Sequence, residues 1–342
     1  MRILVIGGTQ FVGRHFVEAA LAAGHQVTVF HRGQTGADLF PQAERLLGDR
    51  DGDLAGLAAS AADSGWDATV DVCGYFPDQV ARLADALGAQ AGRFLLVSSV
   101  SAYVDPPAAG IGEDAPLATL ADEGVRQVTA QTYGGLKAAC ERVAVQRFGG
   151  STLLVRPTYV VGPWDPTGRF TYWVRRIARG GDVLVPGPAD QAVQVIDARD
   201  LAAWMLGLIE RGESGAFHAA APAPPFGLAD LLAAIAGAVA PAATRLVWAD
   251  PDWLARQSVA GSATAGVVAD EDRDWWPLWN GGTQEWAGAV DPAAALATGL
   301  TPRSLAETAR DTLVHAPTPE VQGVAPTMDR ERVLLAGWRD RV

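Results

Sequence analysis

Tyr133 and Lys137 stand four residues apart in the stretch TYGGLK, a spacing that puts both side chains on one face of a helix. A free phenol ionises near pH ~10, too high for proton transfer at neutral pH. An ammonium about 4 Å away, at an effective dielectric near 20, favours the ionised phenol by roughly 4 kcal/mol. Such a pair is suited to general acid/base work. Lys137 is the only lysine in the chain; every other residue among its 27 Lys and Arg is arginine. Keeping lysine there points to a task for a compact ammonium, such as holding ribose hydroxyls, which a planar guanidinium meets with different geometry.

Two further stretches carry candidate chemistry. VSSVSAY offers Ser98, Ser99 and Ser101 at the end of an apolar run, where a hydroxyl can bond a substrate oxygen; turn residues have the same composition. GGTQFVG follows the first apolar run directly. A G-x-x-G-x-x-G pattern would need glycine at 7, 10 and 13; Gly7 and Gly13 are present, and Gln10 replaces the middle one. Gly7 supplies a sharp turn into a helix whose N-terminus attracts a pyrophosphate, and Gly13 allows close helix packing. Gln10 brings an amide that can donate to phosphate, and Thr9, Phe11 and Val12 complete the loop. After the second apolar run come His31, Arg32 and Gly33, with no acid to hold a ribose 2′-hydroxyl. Arg32 suits a 2′-phosphate, which favours NADP over NAD. Asp49, after a third run, is placed either to meet an adenine amino group or to serve as a turn residue in GDRDGD.

The elements that must position these residues alternate. Strands are expected over 2–7, 26–32, 66–74, 93–103 and 151–163, with a short one near 43–49. Helices are expected over 11–24, 77–88 and 132–149. Continuous apolar strands separated by helices predict a parallel sheet covered on both faces, a doubly wound Rossmann α/β architecture. The reading assigns 1–163 to a dinucleotide-binding domain, with a strand and helix returning near 193–222. Residues 164–342 are assigned mainly to a smaller α/β substrate domain with a C-terminal helix.

Composition narrows the class. With 342 residues, 49% of them apolar, the chain is globular and large enough for a substantial core. A net charge of −12 disfavours a nucleic-acid partner. Two cysteines build no disulfide framework, no run reaches bilayer length, and no signal-like segment precedes the first strand, which together predict a cytoplasmic protein. Five scattered histidines show no metal spacing. Six tryptophans fall between 248 and 286 (Trp248, Trp253, Trp275, Trp276, Trp279, Trp286) and read either as core or as lining for a flat apolar substrate. WWPLWNGG also reads as a lid, and Glu113 and Asp114 as a solvated acidic loop or a pocket edge.

In order along residues 1–315, GGTQFVG, VSSVSAY, YGGLK with Glu141, VRPTYVVGP and VIDARDLA resemble the extended or atypical short-chain dehydrogenase/reductases, the NAD-dependent epimerase/dehydratase branch. The resemblance implies that Tyr133 is the acid/base, Lys137 its partner and Ser99 the family Ser/Thr, and that Pro157, Tyr159 and Val160 border the nicotinamide. It also implies a homodimer through the YxxxK helix. Three departures stand out: Gln10, which resembles the loop of a subgroup including chloroplast stem-loop RNA-binding proteins; Tyr159 where nucleotide-sugar members carry Asn; and Val193 where they carry Arg. The expectation is an NADP-dependent oxidoreductase acting on a carbonyl, alcohol or imine of a small metabolite. The alternatives are a nucleotide-sugar epimerase/dehydratase with retained cofactor, with Val100 speaking against a dehydratase, and a non-catalytic RNA-binding protein on the same fold.

Overall fold

A computed structural model describes residues 1–104, 110–122, 124–223, 225–259, 276–279, 290–316, 320–321 and 325–341. In chain order the elements are β1 (Arg2–Ile6), α1 (Phe11–Ala22), β2 (Gln26–His31), β3 (Glu44–Leu47), α2 (Ala55–Ser64), β4 (Ala68–Asp71), α3 (Pro77–Leu87), β5 (Arg93–Val97), α4 (Ala130–Phe148), β6 (Leu153–Pro157) and β7 (Tyr159–Val161). There follow α5 (Arg169–Ala178), β8 (Asp182–Pro186), β9 (Val195–Asp197), α6 (Ala198–Arg211), β10 (Gly215–Ala219), α7 (Leu228–Val239), β11 (Arg245–Ala249), α8 (Pro251–Val259), α9 (Ala293–Ala297), α10 (Leu305–Val314) and α11 (Met328–Arg339). Residue contacts group the chain into two compact units. One comprises Met1–Val160, Val195–Ala223 and Ala289–Pro302; the other comprises Val161–Gln194, Pro224–Gly288 and Arg303–Val342.

The first unit is built on a seven-stranded parallel sheet in the order β10-β6-β5-β4-β1-β2-β3. Alternation along each strand sends side chains to both faces, and both are covered. Ile3, Val5, Leu95 and Val97 join Phe16 of α1 and Leu201 and Met205 of α6 in one core. Leu4, Ile6, Phe94 and Leu96 join Leu57 of α2, Leu83 of α3 and Cys140 of α4 in the other. Strand order reverses between β1 and β4, and such a switch opens a crevice at the carboxyl ends of the strands. The Rossmann architecture read from the sequence is therefore the observed one.

Several boundaries differ from expectation. The run 93–103 is not one strand: β5 ends at Val97 and Val100–Ala102 form a 3₁₀ turn. The run 151–163 breaks at Thr158 into β6 and β7. In the second unit, α5, α7 and α10 accompany the parallel β8–β11 pair. Arg176 of α5 and Glu331 of α11 form a buried ion pair at 2.6 Å. Among the described residues no helix is long and apolar enough to cross a membrane.

Candidate active site

The loop between β1 and α1 is shaped by three glycines. Gly7 and Gly8 adopt φ of +106° and +84°, conformations that side chains rarely take. A Cβ on Gly13 would lie 2.7 Å from the Gly8 nitrogen, so the first turn of α1 rests directly on the loop backbone. Gln10 is the exposed N-cap residue and its side chain makes no capping bond. No acidic residue occupies the first turn of α1. The first N–H groups of that helix therefore remain available to an anion. Thr9 touches the loop after β2 through Thr35, hydroxyl to hydroxyl at 3.2 Å. This cradle, which any Cβ at 13 would fill, fits the pyrophosphate of a dinucleotide.

At the other end of the crevice, a Thr129–Thr132 capping box starts α4 three residues before Tyr133. That fixes the helical register and sets Tyr133 and Lys137 on one face. Lys137 is buried, and its Nζ donates to Gly74 O and Val97 O, each at 2.9 Å. Two of its three N–H groups are thus spent on the β4–α3 loop and the end of β5, which leaves one for a ligand. A compact ammonium at the end of a flexible stem meets both carbonyls, which explains lysine at this position. The Tyr133 ring centroid lies 6.0 Å from Nζ, and that of Tyr75, from the β4–α3 loop, lies nearer at 4.7 Å. Burial raises the Tyr75 phenol above its ordinary range.

Ser99 begins the 3₁₀ turn, and its Oγ accepts from Ser101 N at 3.1 Å. The turn and α4 meet at Gly134, where a Cβ would come within 2.1 Å of Ser101 O. Gly134 thus has a structural cause: the backbone of α4 passes against the backbone of the turn that Ser99 begins. Ser98, one residue earlier, has a buried hydroxyl with no partner.

Beneath the site runs a buried hydrogen-bond chain. Arg156 of β6 donates to both Glu141 carboxylate oxygens, at 2.9 and 2.6 Å, and to Tyr103 Oη. Tyr103 faces His218 Nε2 at 2.6 Å, and His218 Nδ1 faces the Asp291 carbonyl at 2.9 Å. A carbonyl only accepts, so His218 carries its proton on Nδ1 and Tyr103 donates to Nε2. Burial holds His218 below the usual histidine range and pushes the Tyr103 phenol up to about 12. Glu113 is part of this chain: its carbonyl accepts from Arg156, and its carboxylate accepts from His218 N. The solvated-loop reading of Glu113 is therefore corrected.

On the adenosine side the candidates spread over two turns. Arg32 follows β2 and is exposed. Asp49 is exposed after β3, where its carboxylate accepts from Asp51 N at 3.0 Å, as a turn residue does. The next residue, Arg50, forms a two-pronged pair with Asp71 at 2.7 and 2.8 Å. Burial works against the Asp71 carboxylate, but the Arg50 charge and hydrogen bonds hold it below its ordinary range. Burial raises the neighbouring Cys73 thiol.

A model of the NAD dependent epimerase/dehydratase family matches residues 3–219, most of the chain. The chain belongs to this family. The family is described as NAD dependent, and the dinucleotide cradle at the head of α1 fits that description. A chloroplast stem-loop binding protein of Arabidopsis thaliana is 24% identical over 61% of this chain and 55% of its own length. A bifunctional pinoresinol-lariciresinol reductase of Forsythia intermedia is 45% identical over 11% of this chain and 12% of its own. The chain thus spans about half, or less, of these curated relatives. Among solved structures, the Bordetella bronchiseptica enzyme WbmH with NAD⁺ superposes with TM-score 0.67 at 18% identity, covering 94% of this chain and 99% of that one. The UDP-glucuronic acid 4-epimerase of Bacillus cereus with NAD gives 0.63 at 15%, covering 92% and 98%.

Within this family fold, Gly7, Thr9, Gln10, Phe11, Val12 and Gly13 surround the head of α1. Pro157 ends β6, and Tyr159 and Val160 lie in β7. Sequence reasoning passed over Gly8, Arg50, Asp71, Tyr75 and Gly134. A positive φ at Gly8 was within reach of a local reading; the others matter only through partners distant in the chain. The tryptophans divide. Trp253 and Trp276 are buried, and Trp253 packs on Trp338 at 5.0 Å, so these two are core. Trp248 lies in β11. Residues 276–279 are tied down by Trp173 donating to Pro277 O, Gln191 to Leu278 O, and Trp279 to Gly187 O; the rest of WWPLWNGG lies outside the described residues. Trp275 and Trp286 lie outside the described residues. Among the described residues no three His, Cys, Asp or Glu side chains gather as metal ligands.

Proposed function

We propose that this enzyme is an NADP-dependent oxidoreductase that acts on a carbonyl, alcohol or imine carbon of a small metabolite. The observation that carries the reading is the buried Lys137 ammonium, held on Gly74 O and Val97 O with one donor left over, beside Tyr133 at the crevice of a doubly wound sheet. When bound, the nicotinamide supplies or accepts the hydride. Tyr133 then gives or takes the proton at its phenol oxygen. Lys137 binds ribose hydroxyls. Ser99 orients the substrate oxygen, and the hydrogen bond from Ser101 N fixes where its hydroxyl sits. Gly7 to Gly13 hold the pyrophosphate, Arg32 pairs with the 2′-phosphate, and Pro157, Tyr159 and Val160 border the nicotinamide. The second unit is the substrate-binding domain, and the site of action is the cytoplasm.

A retained-NAD nucleotide-sugar epimerase is the second reading. The NAD-bound structural neighbours favour it, one of them a UDP-glucuronic acid 4-epimerase. Val193, buried and apolar, offers no charge to a diphosphate, which favours the first reading. The test is a panel of hydrophobic ketones with NADPH, run beside UDP- and dTDP-sugars without added cofactor. Ketone-dependent NADPH oxidation that disappears in Tyr133→Phe supports the proposal. Sugar epimerisation with no net NADPH consumption would replace it with the second reading.

A further inference from the structure

The sheet order sets the course of the turn after β3. From β4 outward the order is β4, β1, β2, β3, yet Arg50 in the turn after β3 reaches Asp71 at the end of β4. Its side chain therefore lies across the carboxyl edge of the sheet, in front of β2 and β1. Cys73 confirms the placement. Its thiol donates to Ile6 O, the last residue of β1, at 3.5 Å, and accepts from Arg50 Nη1 at 3.2 Å. The same sulfur would stand 3.4 Å from a Cβ on Gly7. The guanidinium is thus one thiol away from the glycine loop.

The surroundings hold this turn rigidly. Gln79 of α3 donates to Asp51 at 2.7 Å, and Arg82 donates to Gly52 O. Both Nη atoms of Arg50 are engaged by Asp71 and Cys73, whereas Nε is buried and has no hydrogen-bond partner. Leaving a charged donor buried and unpaired costs far more than exposing it, so such a group in a cofactor crevice marks a place for a ligand acceptor.

We propose that Arg50 is a cofactor-binding residue that donates its Nε–H to an acceptor on the adenosine half of the dinucleotide. The inference rests on the dinucleotide reading of the crevice and adds to it a contact beyond the one expected of Asp49. The half of the cofactor follows from the sheet. Lys137 and Tyr133 take the reactive half on the β5 side of the glycine loop, and Arg50 comes from the β3 side. Because the contact involves base or ribose rather than the 2′-phosphate, it serves NADH and NADPH alike, in contrast to Arg32.

The test is a set of binding titrations on purified Arg50→Met, Arg50→Lys and the double variant Arg50→Met/Asp71→Asn. The double variant removes both buried charges, so it guards against a single variant that fails to fold around an unpaired Asp71. The probes are NADPH, NADH, adenosine 2′,5′-bisphosphate and reduced nicotinamide mononucleotide. A lost charged hydrogen bond predicts affinity at least about tenfold weaker for the first three probes, by a similar factor, in all variants. Binding of the mononucleotide is predicted to stay at the wild-type level. Arg50→Lys keeps the charge but not the fixed Nε–H, and it is not expected to rescue. A folded double variant that binds all four probes like wild type would overturn the inference, as would one that loses all four equally. Wild-type protein that binds no dinucleotide would instead remove the cofactor reading, and this inference with it.

Discussion

Gly134 sits in the first half of α4, where exchange of glycine for alanine ordinarily stabilises a helix by about 1 kcal/mol. Here the added methyl group would sit 2.1 Å from the carbonyl oxygen of Ser101, a backbone atom of the 3₁₀ turn. An ordinary contact between such atoms needs about 1 Å more, and neither partner is a flexible side chain. Relief requires α4 to move away from the turn. Strain of this kind costs about 1–3 kcal/mol, which outweighs the propensity gain. The same movement draws Lys137 off Gly74 O and Val97 O, the two carbonyls that hold its ammonium. Gly134→Ala is therefore expected to be less stable than wild type in urea denaturation and to bind NADPH more weakly in a fluorescence titration. Two controls calibrate the argument. At Gly135 the new methyl group would meet mainly the side-chain end of Leu120 at 2.8 Å, which can swing aside, so Gly135→Ala is expected to be milder. Gly237 in α7 has nothing within 4 Å, and Gly237→Ala is expected to stabilise by about 1 kcal/mol. If Gly134→Ala proved as stable as wild type, with unchanged NADPH affinity, the close approach of α4 to the Ser99 turn would be refuted.

Other consequences follow from the buried polar groups. Glu141 and Arg156 are both almost fully buried, so Glu141→Ala leaves an unpaired guanidinium and is expected to cost about 3–5 kcal/mol in urea denaturation. Replacing both partners with methionine is expected to cost less than the single change, because no buried charge then remains. His218 is held neutral below its ordinary range, so as pH falls below about 6.5 the unfolded chain takes up a proton that the folded one refuses. Stability should therefore drop on acidification through that window, and His218→Gln should show a shallower slope in melts between pH 7.5 and 5.5, roughly the range in which histidine titrates.

The fold was legible wherever the pattern was local. The apolar runs of β1, β2, β4, β5 and β6, the glycine loop and the Tyr133–Lys137 spacing all lie within a helical turn or a strand length. What escaped was weakly patterned or distant. In α2, the stretch AGLAASAADS buries only Leu57 and Ala61, so its alanines show no clear stripe. β8 and β11 are five residues each, with glycine or proline close by, and they become strands by pairing with one another across the intervening helices. The 3₁₀ turn of Ser99 read as a continued strand because Val100 and Ala102 are buried, as strand residues would be. At the candidate site, Tyr75 meets Lys137 and Arg50 meets Asp71 only through the sheet order, which no short-range spacing encodes. Lysine in place of arginine at 137 was a visible anomaly, and the two carbonyls it serves give it a physical reason.

The proposed function requires a dinucleotide site that prefers NADP, with Arg32 as the reader of the 2′-phosphate. The most direct measurement is a parallel titration of the protein with NADPH and NADH, followed by nicotinamide fluorescence, on wild type and Arg32→Ala. Loss of one charge-assisted bond to phosphate, about 1.5–3 kcal/mol, predicts that the variant weakens NADPH binding roughly tenfold or more and leaves NADH binding near wild type. Equal affinity for the two nucleotides, unchanged in Arg32→Ala, would contradict the NADP assignment, and absence of binding by either would contradict the site itself.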